Sequence, residues 1–169
     1  MAQRTLTDPI DWVRRQWVKK DLGEPRRFLV MGSLMRLDQL MNAELERTLK
    51  PYGLSRNSYM LLVTLHLSER GAALLSQLAR SLMVHPTTIT LVTDRREDQR
   101  RVTRTAHPTD RRATFATLTP AGRALVREAT AALDAVEFGL PGLTLADSQR
   151  LLDLISPIRK AAGDEMSPS

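Results

Sequence analysis

The stretch LSQLARSLMVHPTTITLVTDRREDQRRVTRTAHPTDRRATFATLTPAGRALV (75–126) decides the fold. Its opening, LSQLARSL (75–82), has the spacing of a short helix. Met83-Val84-His85 makes a tight connection, and Pro86 opens a second helix that runs to about Asp98. Proline suits that first helical position, where its missing N–H would have had no partner. Two short helices joined this closely form a helix-turn-helix pattern. Next come RVTRTA (101–106), HPTDRR (107–112) and ATFATLT (113–119). The flanks are rich in Thr, Val and Phe, and the middle holds Pro and Asp. This predicts a β-hairpin with a six-residue loop. A hairpin directly behind a helix-turn-helix is a wing.

Working outward, Thr119 caps a helix that Pro120 begins and that runs to about Phe138; Gly139, Pro141 and Gly142 then break the chain. Thr144 caps a last helix to about Ala162, and DEMSPS is read as a disordered tail. On the other side, Ser55 caps a helix through Leu67, with Ser68-Glu69-Arg70-Gly71 as a loop. Residues 25–50 read as one long helix that Pro51 and Gly53 end. Val30, Leu34, Leu37, Met41 and Leu45 form an apolar stripe that Met31, Met35 and Leu49 widen. So broad a stripe predicts more than one neighbour. Residues 8–21 form a shorter amphipathic helix, capped by Asp8, begun by Pro9 and stopped by Gly23, which is expected to pack its tryptophans on the main body. No internal repeat or interdomain linker interrupts the 169 residues, enough for one domain with a real core.

The formal charge is +6, from 25 Lys and Arg against 19 Asp and Glu, which suits a polyanionic partner. Much of the excess is local. Between Arg95 and Arg112 stand seven arginines and three acids. Cysteine is absent, which removes disulfides, thiolate metal sites and thiol redox sensing. No apolar run has the length of a signal peptide or a membrane span, so a cytoplasmic location with no membrane partner is expected.

The second helix of the pair carries His85, Thr87, Thr88 and Thr90 in its opening turn. These are small donors and acceptors, and the threonine methyls can touch thymine. A helix N-terminus also offers free backbone N–H groups to phosphate. Ile89 and Val92 are expected to face the core. Arginines at the hairpin can reach the minor groove, where A·T-rich DNA has enhanced negative potential. Asp110 stands two residues from Arg112 and can pair with it to fix the loop, while Arg111 faces DNA.

From Leu75 to Val126 the sequence resembles the MarR family of bacterial regulators, most specifically in HPTDRRA followed by LTPAG. The resemblance implies a mainly α fold with a small β-hairpin: a winged helix-turn-helix with a helical dimerisation region. Residues 1–169 would form a single MarR-like domain, with 25–50 and 120–163 as the dimerisation region and 55–119 as the DNA-binding lobe. Thr87, Thr88 and Thr90 would fall on the major-groove face and Arg95 near the backbone. Ser76 and Gln77 match a phosphate-contacting position, and Asp110 and Arg112 match the wing motif. A homodimer on a palindromic double-stranded operator, acting as a repressor, is the implied function. Relief by a small anionic or aromatic effector is also implied, with Met31, Met35, Asp38, Tyr59 and His66 as candidate lining. The plainer reading of those Met and Tyr residues is core. The N-terminal helix with Trp17 is similar to the urate-responsive branch, but Met60 and Leu91 stand where that branch has an acid and an arginine, so urate is not expected.

After the recognition helix the family pattern reads roughly Leu-Glu-x-x-Gly-Leu-Val, whereas this chain has Arg96-Glu97-Asp98-Gln99-Arg100-Arg101-Val102. Arginine thus replaces a core leucine, a turn glycine and a second leucine. An unpaired buried charge is costly and the glycine geometry is strained for arginine. Arg96 is expected to snorkel or to pair with Asp98 or a distant acid.

An enzyme is disfavoured. His66, His85 and His107 are scattered without metal spacing, and no nucleophile elbow, zinc-protease motif or phosphate-cradling glycine loop is present. No cofactor or metal is called for. The alternative carried alongside is a winged-helix protein-interaction module with weakened DNA binding.

Overall fold

A computed structural model describes residues 8–110 and 113–164 of the chain. They divide into two units, residues 1–43 and 44–169.

In the first unit, α1 (Pro9–Lys19) starts where Asp8 accepts a hydrogen bond from Ile10 N at 2.8 Å. The Trp17 ring lies 4.4 Å from that of Phe28, and its Nε1 donates to Gly23 O at 3.1 Å. Trp17 thus packs on Phe28 within this unit, while Trp12 is 57% exposed. Phe28 opens the long helix α2 (Arg26–Leu49). Of its predicted stripe, Val30, Leu34 and Leu37 are exposed in the single chain, whereas Leu45 and Leu49 are buried; Leu29, outside the stripe, is buried too.

In the second unit, α2 ends in a 3-10 turn, Lys50–Tyr52, closed by Gly53 in the left-handed conformation at φ 64°. Then follow α3 (Arg56–Leu67), β1 (Ala72–Leu74), α4 (Leu75–Ser81), α5 (Pro86–Asp98), β2 (Val102–Ala106), β3 (Thr114–Leu118), α6 (Pro120–Asp134) and α7 (Leu145–Ala161). Ser55, Thr119 and Thr144 cap α3, α6 and α7 with their hydroxyl oxygens, as their positions predict. The helix expected to reach Phe138 stops at Asp134, because Glu137 and Phe138 both take left-handed backbone conformations.

The sheet has three antiparallel strands in the order β1-β3-β2. The hairpin was legible, with Val102 opposite Leu118 and Ala106 opposite Thr114. The third strand was not. Ala72–Leu74, between the loop 68–71 and the helix 75–82 of the sequence reading, pairs with Phe115–Thr117. Leu61, Leu62, Leu65, Leu78, Ile89, Val102, Ala116, Leu118, Val126, Ala129 and Leu133 make the core that holds helix pair, sheet and α6 together.

Among the described residues no helix is long and apolar enough to cross a membrane.

Candidate nucleic-acid interface

Helix α5, the second of the pair, owes its start to His85. The Nδ1 of His85 accepts a hydrogen bond from Thr87 N at 3.3 Å, and Pro86 takes the first helical position. His85, Thr87 and Thr90 are exposed and Thr88 is half-buried. The hydroxyl of Thr90 donates back to Pro86 O at 3.2 Å, which leaves its oxygen free to accept. The opposite face is sealed by Ile89 and by Thr93, whose hydroxyl is satisfied by Ile89 O at 2.7 Å. Val92, expected in the core, is half-buried.

Ser76 and Gln77 are exposed in the first turn of α4. Gln77 already uses its Oε1, which accepts from Leu74 N at 3.2 Å, so only its NH2 is available to an anion. Arg95 is exposed on α5.

The wing loop is organised by a residue that sequence reasoning passed over. His107 Nδ1 accepts from Thr109 N at 3.3 Å and from Asp110 N at 3.2 Å, and its ring stacks on Phe115 at 5.3 Å between centroids. Ala113 N closes the turn on Asp110 O at 3.0 Å. The signal was present: a side-chain acceptor two to three positions before the amides of a Pro-containing turn. Arg111 and Arg112 lie outside the described residues. At the other end of the hairpin, Arg104 pairs its guanidinium with Asp94 on α5.

Arg96 departs from expectation. It neither snorkels nor meets an acid. It is 1% exposed, and both its Nη1 and its Nη2 donate to Gly53 O at 3.3 Å. Its Nε is buried without a partner among the described residues. Burial lowers its pKa, and the neighbouring charges of Arg95 and Arg101 push the same way. Arg101, in the place of the second leucine, remains half-exposed and donates to Ala121 O at 3.1 Å. Arg100 adopts the glycine geometry at φ 56°.

Of the candidate effector residues, Met31, Met35 and Asp38 are exposed on successive turns of α2. Tyr59 is buried and its hydroxyl lies 3.1 Å from Thr130 Oγ1, which gives it a structural role between α3 and α6. His66 is half-buried near the end of α3. Among the described residues no cluster of His, Asp and Glu could hold a metal ion.

This arrangement has known counterparts. The MarR family model matches residues 54–114. The chain is 29% identical to the HTH-type transcriptional regulator PrsX of Escherichia coli, over 95% of this chain and 98% of that one. It is 33% identical to Sco5413, a MarR family transcriptional regulator from Streptomyces coelicolor, covering 85% of this chain and all of that one with a TM-score of 0.77. Sco3205 from the same organism, a MarR family regulator solved in complex with DNA, is 28% identical with a TM-score of 0.73, covering 86% of this chain and 92% of that one. The three-stranded wing, the helix pair and these likenesses agree, and the chain belongs to the MarR family of winged helix-turn-helix transcriptional regulators, a family of DNA-binding proteins and not of enzymes.

Proposed function

We propose that the protein represses transcription as a homodimer on a palindromic double-stranded operator and is released by a small anionic or aromatic effector. The observation that carries the DNA reading is the exposed face of α5. The capping His85, Thr87 and Thr90 are exposed there with Thr88 half-buried beside them, backed by a sealed core face. In this reading His85, Thr87, Thr88 and Thr90 meet base edges in the major groove. Ser76, Gln77 and Arg95 meet phosphates. Arg111 and Arg112 enter the minor groove, with Asp110 fixing the loop.

Dimerisation is supported by the apolar residues left uncovered. On α7, Leu145, Leu152, Leu154 and Ile158 are exposed, and α2 exposes Val30, Met31, Leu34 and Met35. Apolar faces of this kind belong to interfaces. The effector reading is supported by the precedent of BpsR of Bordetella bronchiseptica, whose DNA binding is regulated by 6-hydroxynicotinic acid.

The test is selection of bound fragments from genomic DNA, followed by gel shift. An inverted repeat with half-sites about one helical turn apart is expected. Binding should be lost on Arg112→Ala and should fall with salt at a log–log slope of about −0.9 per neutralised phosphate. A protein that is monomeric at micromolar concentration, or that binds any acidic polymer equally well, would instead be an interaction module.

A further inference from the structure

We propose that Arg96 is a positioning residue for DNA reading: it clasps the turn that follows α2 from across the lobe and thereby fixes the tilt of helix α5. The inference rests on the DNA-binding reading above for its purpose, and on geometry for its substance. The long helix α2 ends in a turn whose own bonds are complete, with Gly53 N on Lys50 O at 3.0 Å and Leu54 N on Leu49 O at 3.2 Å. Leu49 and Leu54 are both buried, so this end of α2 is anchored in the lobe. The carbonyl of Gly53, in the turn beyond the helix, is taken by the Arg96 guanidinium with two N–H groups.

Stability alone gives a poor account of this residue. One neutral carbonyl is a meagre partner for a buried guanidinium, and Nε has none among the described residues. An apolar side chain of similar length would avoid the desolvation cost. An apolar side chain, however, carries no direction. A planar fork held on one oxygen fixes both the distance and the orientation of the C-terminal part of α5.

That constraint acts at the far end of the helix. Arg96 and Thr87 are nine residues apart on α5, about 14 Å along a rigid rod. A tilt of about 5° at Arg96 moves Thr87 by roughly 1 Å, enough to spoil hydrogen bonds to base edges.

The chain has no cysteine, so single cysteines introduced at Leu67 and Met83, both exposed, accept spin labels cleanly. The distance between them, measured by pulsed electron resonance with labelled chains diluted into unlabelled ones, reports the entry to α5 against α3 without DNA. Arg96→Leu is expected to raise Tm by about 3 °C or more. It should also shift or broaden that distance, and lower the ratio of operator to scrambled-duplex affinity at least tenfold with the salt slope unchanged. Arg96→Lys, which keeps one donor for Gly53 O, should restore the distance and part of the ratio. An unchanged distance and ratio in Arg96→Leu would overturn the proposal. A wild-type protein without DNA selectivity but with the distance shift and its rescue would overturn the operator reading and leave the positioning role standing.

Discussion

Glu97 Oε1 accepts a hydrogen bond from the backbone N–H of Arg104 at 3.0 Å, which ties the last turn of α5 to the outer strand of the wing. β2 has a strand partner on one side only, so this N–H would otherwise face away from the sheet unpaired. Asp94, one turn earlier on α5, takes the guanidinium of the same arginine. Recognition helix and wing are thus fastened through a single residue. Glu97→Ala is expected to cost about 1–2 kcal/mol, because it strands a partly buried donor. Thermal melting would register the loss, and hydrogen exchange at the Arg104 amide would quicken. An unchanged exchange rate there would dismiss the link.

The LTPAG signature has a steric cause. A Cβ on Gly122 would fall inside contact of Arg101 O and within 2.7 Å of Leu118 Cδ1. Backbone cannot retreat as a flexible side-chain end does. Gly122→Ala should therefore destabilise by about 3 kcal/mol or more, at the upper end of overpacking costs. Denaturant unfolding is the measure, and a loss under about 1 kcal/mol would show that the hairpin base yields.

Arg100 sits at φ 56°, a conformation that costs an L-residue about 1–2 kcal/mol. Glycine removes that cost but gives back part of it through the freedom of the unfolded chain. Arg100→Gly should gain about 0.5–1 kcal/mol, raising Tm by a couple of degrees. A lower melting point would mean that the arginine side chain contributes more than its backbone costs.

Tyr59→Phe removes the hydroxyl shared with Thr130 and little else. The expected loss is about 1 kcal/mol in equilibrium unfolding. If Tyr59 also lines an effector site, the same variant will change effector response by more than its stability explains.

Caps and periodicity were the readable part of the fold. Ser55, Thr119 and Thr144 announce their helices because each hydroxyl acts on the amide three residues on. Strand β1 could not be read. Three residues, Ala72–Leu74, show no alternation, and their pairing partners at 115–117 lie far along the chain. The same distance hid the partner of Arg96. Sequence reasoning searched for an acid, whereas the acceptor is a backbone carbonyl 43 positions away, a group that every residue carries. The site divides along the same line. The threonine face of α5 is local and was legible. The clasp of Arg104 by Asp94 and Glu97 depends on how helix and strand meet.

None of the residues of α7 is buried in the single chain. Seventeen residues are barely enough for a helix to persist in water on its own propensity, and Pro157 within it weakens that further. In the proposed homodimer, the partner that covers this helix would also supply its folding energy. In that dimer, ordering of the C-terminal arm and assembly would become one reaction, governed by protein concentration. At high dilution the arm should melt first while the winged lobe, with its own core, keeps its shape, so the abundance of the protein in the cell would itself set how many reading heads are held in register.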